Sequence, residues 1–261
     1  MTSDASVEEQ GYPEPAKLEM VWGEGFMSPG GADEVSRIVA GHDLTGLAVL
    51  DFGCGLGGAD AVLVERHGAA SVIGLDIQPL LVERATARAK GLGLERRVTY
   101  VLGVPGRIPF ADASFDAVFT KDAIIHIADK AAVLREIARV LRPGGLLLLG
   151  DWLTGGDPAH AGLADRFLSA TGHDFHLATP DAMAKAARDA GFTSIESEDR
   201  RGWYEGEATA ERDRLLGEMG RRFEANFGAK AFEDERAFYD ILVEAVAKGV
   251  VQPGHLRASK G

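Results

Sequence analysis

The sequence predicts an α/β protein built on an open, mostly parallel sheet with helices on both faces. Three observations carry this. The apolar run Ala48-Val49-Leu50 reaches Asp51 and breaks into a glycine-rich stretch, Gly53, Gly55, Gly57 and Gly58, before a helical pattern begins near Ala59. About one βα unit later, Ser71–Asp76 reads as a second strand that ends in an acid. From 46 to 151, short apolar runs alternate with amphipathic helical stretches, the signature of a parallel sheet.

The elements follow in order. Residues 16–31 are rich in aromatic residues and glycine and read as a packed lid segment. Ala32–Ala40 reads as a first helix, stopped by Gly41. Strands are expected at 47–51, 71–75, 97–102, 115–119 and 145–150, and helices at 59–67, 79–90 and 130–141. The stretch Leu141-Arg142-Pro143-Gly144-Gly145 reads as the helix end and turn before the fifth strand. Beyond 151 the alternation stops. Mixed helix to about Ser169, helices over Asp181–Ala190, Ala208–Phe227 and Asp234–Val246, and strands over Phe192–Ser197 and Leu256–Ser259 are expected. The chain thus divides into a lid and first helix (1–45), a ligand-binding core (46–151) and a segment (152–261) that caps the cleft and chooses the substrate.

Composition narrows the function. Net charge is −12, from 28 basic and 40 acidic residues, which argues against nucleic acid or an anionic membrane as the main partner. No apolar run approaches the ~18 residues of a membrane span. The polar, acidic start is unlike a signal or transit peptide, so cytoplasm is expected. The single cysteine, Cys54, excludes an internal disulfide and reads as a packing residue of the glycine loop. Nothing suggests an obligate partner, so a small-molecule enzyme, monomeric or weakly homo-oligomeric, is expected. No group of Cys, His or acids has metal-ligand spacing; His173-Asp174-Phe175-His176 comes nearest and lacks a third ligand.

The ligand is legible in the loop. Glycines allow positive φ and let a ligand lie against bare backbone. A carboxylate roughly 20 residues on, here Asp76, is placed to accept from ribose hydroxyls. A dinucleotide loop would set a pyrophosphate beside the strand end, where Asp51 would repel it. Asp51 suits a ligand with a cationic end, such as an amino acid or a sulfonium. After the fourth strand comes Thr120-Lys121-Asp122-Ala123-Ile124-Ile125-His126. Asp122 and His126 are four apart and would share a face of a helical turn. An acid can attract an amine and a histidine can relay its proton. Spacing alone leaves open that His126 merely caps or packs a short helix.

These segments, from Val49 to Asp151, resemble the class I methyltransferases that use S-adenosylmethionine. The resemblance includes Phe115-Asp116-Ala117-Val118 and Leu141–Gly145 before the strand Leu146–Leu149. It implies a Rossmann-like, seven-stranded sheet with a helical cap inserted after the fifth strand. A narrower likeness rests on Phe26-Met27-Ser28-Pro29-Gly30-Gly31, Gly55-Leu56-Gly57-Gly58 and Lys121-Asp122-Ala123-Ile124-Ile125-His126. Together these are similar to phosphoethanolamine N-methyltransferases, which methylate phosphoethanolamine stepwise towards phosphocholine.

That likeness implies His126 as the catalytic histidine, Asp122 as the amine-contacting acid and Tyr12 as a lid tyrosine paired with the histidine. It implies a cofactor set of Asp51, Gly53, Gly55, Asp76, Ile77, Val104, Lys121 and Ser28. Val104 stands where many relatives have an acid for the adenine amino group. The substrate set includes Asp122, Trp152, His173 and Phe175, the last three in place of the family's phosphate-binding tyrosine, arginine and tyrosine. The family's C-terminal lysine has no clear counterpart; Ile241 lies near its place. His173, His176, Arg200 and Arg201 could supply phosphate donors in another way, or the substrate carries no phosphate. An amino acid, a thioether acid or a secondary metabolite is then the alternative acceptor.

Overall fold

A computed structural model describes residues 15–261. Among these residues the order is α1 (Pro15–Trp22), α2 (Gly31–Val39), β1 (Ala48–Phe52), α3 (Gly58–Glu65), β2 (Ser71–Asp76), α4 (Pro79–Gly91), β3 (Val98–Leu102), β4 (Phe115–Lys121), a 3-10 turn (Ile124–His126), α5 (Lys130–Val140) and β5 (Leu141–Leu153). Then follow a second 3-10 turn (Pro158–His160), α6 (Ala161–Thr171), α7 (Pro180–Asp189), β6 (Phe192–Asp199), α8 (Arg201–Leu215), α9 (Glu218–Phe227), α10 (Ala229–Ala247) and β7 (Gln252–Lys260).

One seven-stranded sheet runs β3-β2-β1-β4-β5-β7-β6. All pairs from β3 to β5 are parallel, and β7 is antiparallel to both β5 and β6. The chain winds outward from β1 to β3, then returns to place β4 on the other side of β1. The crevice therefore opens at the carboxyl ends of β1 and β4, where ligands bind in such sheets. That is where the glycine loop and residues 121–126 emerge.

Both faces of the sheet are covered, so central strands are apolar throughout rather than alternating. Val49 faces a core with Val35 and Ile38 of α2 and Leu63 of α3. Its neighbour Leu50 faces the opposite core, with Leu134 and Ile137 of α5 and Met183 of α7. Local signals start the helices: Asp129 accepts from Ala132 N at 2.8 Å to cap α5, and Thr179 caps α7 ahead of Pro180. A third cluster, with Trp152, Phe167, Tyr204, Phe223, Tyr239 and Leu242, is the core of the cap.

The differences from the expected elements have physical causes. Residues 141–145 are not a turn outside the sheet but part of β5. Leu141 pairs with Phe115 and Leu146 with Ala117, so the residues between bulge opposite Asp116. Gly144 takes φ 73° in this bulge, and the Arg142 guanidinium pairs with Asp116. The stretch 208–227 is two helices, because the chain straightens at Gly217 (φ −103°, ψ −136°). Gly228, at φ 88°, separates α9 from an α10 that starts earlier than expected. β7 begins before Leu256 because its pairing with β5 extends to Leu153↔Gln252. Among the described residues no helix is long and apolar enough to cross a membrane.

Candidate functional site

The glycine loop folds back on the end of β2. Gly53 N and Cys54 N donate to Leu75 O, at 2.8 and 3.2 Å, and Gly55 N donates to the Asp76 carboxylate at 3.0 Å. The other Asp76 oxygen accepts from Gln78 N at 2.9 Å. Asp76 therefore fixes the loop, and its remaining lone pairs stay available for hydroxyl donors. Gly53 has φ 78°, and a Cβ there would sit 2.2 Å from the Ala123 Cβ, so glycine is required. Ile77, Leu102 and Val104 line the edge beyond and are each about half exposed or more (52%, 51% and 62%). Three exposed apolar side chains thus stand at adjacent strand ends.

Asp51 is not a lone carboxylate. It is buried and faces Asp60 of α3, which is fully buried, with the Tyr100 hydroxyl alongside. Burial, then mutual repulsion and Asp76, push the Asp51 pKa well up, and burial raises Asp60 as well. Two facing carboxyls this deep disfavour carrying both charges at once. Asp60, in the first turn of α3, carries no sequence signal of this role.

The segment before the core closes over this loop. Gly58 N donates to Gly25 O at 3.0 Å. Arg88 of α4 clasps the segment, pairing with Glu19 at 2.5 Å and Glu24 at 2.8 Å. Neither Arg88 nor its partners carries a sequence signal, since the pairing spans more than sixty residues.

At the end of β4, Lys121 Nζ donates to Ser28 Oγ at 2.5 Å and to Asp122 Oδ2 at 2.6 Å. Ser28, Lys121 and Asp122 are thus one cluster joining lid to sheet. Asp122 takes φ 54°, a left-handed conformation uncommon for a residue with a side chain and characteristic of strained functional positions. Its N–H donates to Gly150 O at 2.9 Å, which ties the turn to β5. Asp122 and His126 do not share a helical face. Residues 122 and 123 stand outside the 3-10 turn, and three residues per turn would not align i with i+4. The two nevertheless meet electrostatically: Asp122 pulls the His126 pKa up, against burial and the neighbouring His173, Lys130 and His176. Burial is the largest influence, and the net result is about 4.

His126 lies against the cap. Its ring is 5.0 Å from Phe175 and 5.9 Å from His173, both edge to face. His173 stacks on Phe175 at 5.6 Å. Trp152 reaches the same aromatic group, 6.3 Å from Phe175 and 5.4 Å from Tyr204. The structure therefore brings Asp122, His126, Trp152, His173 and Phe175 together. A cavity of about 20 Å³ beside them is lined by Lys121, Asp122, Asp151, Trp152, Trp203 and His255. Tyr12 lies outside the described residues.

Arg200 is not available as a phosphate donor. It holds Glu34 through two hydrogen bonds, at 2.8 and 3.1 Å, and lies over the Trp203 ring at 4.7 Å. Glu34 also meets His255 at 2.7 Å. Burial pushes the Glu34 pKa up, but hydrogen bonds from His255 and Arg200 outweigh it and bring the value to about 2. His176 pairs with Asp174 at 3.3 Å. Among the described residues, no three His, Cys, Asp or Glu converge as they would around a metal ion.

Comparison with known proteins bears on the domain and the fold. Residues 50–149 match the methyltransferase domain family. The chain is 31% identical over 219 residues to phosphoethanolamine N-methyltransferase 1 of Arabidopsis thaliana, covering 84% of this chain and 43% of that protein. It is 41% identical over 108 residues to a sterol 24-C-methyltransferase of Aspergillus fumigatus, covering 41% of this chain and 28% of that one. Among solved structures, Haemonchus contortus phosphoethanolamine N-methyltransferase 2, in complex with phosphomonomethylethanolamine and S-adenosylhomocysteine, superposes with a TM-score of 0.85 at 26% identity, over 94% of this chain and 56% of that one. The chain thus spans about half the length of these phosphoethanolamine N-methyltransferases.

Proposed function

For a chain that carries a class I, S-adenosylmethionine-dependent methyltransferase domain, we propose N-methylation of a small amine, with phosphoethanolamine and its methylated forms as acceptors. The observation that carries this reading is the convergence of Asp122, strained at the end of β4, with His126 in one aromatic-walled recess beside the glycine loop.

The residues present fit the co-substrate. Gly53 and Gly55 present bare backbone, Asp76 retains lone pairs for a ribose diol, and Ile77 and Val104 offer exposed apolar surface for the base. The buried Asp51–Asp60 pair would gain a counter-charge from the cationic end of a sulfonium amino acid, and Ser28 with Lys121 offers donors for its carboxylate. S-adenosylmethionine supplies the electrophilic methyl group.

The chain's own work is to present a neutral amine. A primary ammonium has a pKa near ~10, so only about one molecule in a thousand is free base at pH 7. Asp122 attracts and orients the ammonium, in exchange for part of its pairing with Lys121. His126, held neutral by burial, accepts the proton, and the Asp122 charge then steadies the imidazolium. The lid and the aromatic wall of Trp152, Phe175 and His173 exclude water. The lid role that the family likeness gives to Tyr12 belongs to this reading, and residues 152–261 select the acceptor.

A second reading is favoured by one observation. With Arg200 bound to Glu34, and with burial lowering the His173 pKa, the recess holds few ready cations for a phosphate dianion. On this reading the acceptor carries no phosphate. S-adenosylhomocysteine release with phosphoethanolamine, its mono- and dimethyl forms, ethanolamine, glycine and a thioether acid separates the two. Turnover confined to the phosphorylated bases supports the first, turnover confined to the others supports the second, and none at all refutes both.

A further inference from the structure

The short turn that carries His126 is held by buried polar groups from outside it. Lys130, at the start of α5, reaches back to donate its Nζ to Ile124 O at 2.5 Å. Asp151, buried near the end of β5, accepts from Trp152 N at 2.9 Å through one oxygen. Its other oxygen has no partner that meets full hydrogen-bond geometry, yet the Ile125 N–H lies close enough to help stabilise the carboxylate. A third hold is neutral: His176 N donates to Ile125 O at 2.8 Å. The turn is three residues long and cannot hold its own geometry, because a single 3-10 turn closes few internal hydrogen bonds.

We propose that Lys130 and Asp151 are positioning residues for His126, Lys130 gripping its turn at the Ile124 carbonyl and Asp151 lying against the turn beside Ile125. This rests on the functional reading above for its purpose, though not for its test. Burying an ammonium and a carboxyl is costly unless each finds partners. Here Lys130 spends one hydrogen bond on the turn, and the buried Asp151 lies beside it. Burial lowers the Lys130 pKa while Asp151 acts against that; burial raises Asp151, with Asp122 adding to the rise and Lys130 opposing it. The arrangement has a second consequence. The groups facing His126 are Asp122 from β4, Lys130 from α5, and His173 and His176 from the loop after α6. Lys130 disfavours a second positive charge there, so it helps hold the imidazole neutral.

Two measurements test this without turnover. In protein labelled at the histidine rings, the His126 resonance, assigned by its loss in His126→Gln, is titrated by NMR. Lys130→Met is expected to raise the His126 pKa from about 4 to about 5 or higher, and Lys130→Arg to leave it near the wild-type value. In Asp151→Ala, amide exchange at Ile125 is expected to quicken about tenfold, as a local opening becomes easier. Should Asp151→Ala fail to fold, Asp151→Asn, in which part of the acceptor capacity is replaced by a donor, is expected to quicken it about threefold. An unmoved His126 titration in Lys130→Met removes Lys130 from the proposal, and unchanged exchange at Ile125 removes Asp151. If both measurements come out as expected while no amine is methylated, the functional reading fails and the grip on the turn stands.

Discussion

Replacing His126 by asparagine removes the proton acceptor while keeping a polar side chain in the recess. A positioned general base contributes about 10²- to 10⁴-fold, or roughly 2.7–5.5 kcal/mol at 1.36 kcal/mol per tenfold. The cost to stability is smaller. The imidazole packs edge to face on Phe175 at 5.0 Å and on His173 at 5.9 Å, and such ring pairs contribute about 0.5–1.5 kcal/mol each. Asp122 remains to hold the ammonium, so KM for the amine should change little while kcat falls at least about 100-fold. The assay is S-adenosylhomocysteine release at saturating co-substrate from pH 5 to 9, with thermal melts of both proteins. The wild-type profile carries its own check. His126 acts in its neutral form, and its pKa is held near 4, so rates set by this group should stay level as pH falls through 6.5 and decline only towards 4. A His126→Asn rate within about threefold of wild type would refute the base assignment, since 10²-fold is the lower bound of the effect.

Other perturbations reach other parts of the site. Glu34→Gln should cost about 3–5 kcal/mol, because Arg200 and His255 are left without their buried carboxylate; urea unfolding measures it. The wild-type Glu34 pKa is depressed to about 2, so its stabilisation is complete above the ordinary 4.5 and lost as pH falls from 4.5 towards 2. The variant should lose that part of the acid dependence. Gly53→Ala should weaken S-adenosylmethionine binding by calorimetry at least about tenfold, since its Cβ would sit 2.2 Å from Ala123 in a backbone at φ 78°, a strain of about 1–2 kcal/mol before any movement of the loop. Arg88→Met should speed proteolysis within residues 19–28 by about tenfold relative to wild type, with little change at α5, because the clasp to Glu19 and Glu24 is lost.

Local chemistry along the chain sets the frame of this protein. Strand periodicity from β1 to β4, the glycines before α3, the acid ending β2 and the caps of α5 and α7 are local features, set by φ/ψ preference and by which face is apolar. Asp76, Gly53, Gly55 and the stretch 121–126 are therefore placed at the carboxyl ends of neighbouring strands by sequence signals alone. Where local reading fails, the deciding forces are distant. Leu141–Gly145 joins β5 because Phe115 pairs with Leu141 across the sheet, and β7 is long because β5 and β6 flank it on both sides. The helical face expected for Asp122 and His126 gives way to a left-handed residue and a 3-10 turn, tied to β5 through Gly150. Charge partners are the clearest case. Asp51 with Asp60, Arg88 with Glu19, Arg200 with Glu34, and Lys130 with Asp151 around one turn are separated in sequence and carry no periodic signal. Only packing removes them from water, and only then do their interactions become strong enough to decide which acid holds a proton and which arginine is free for a substrate.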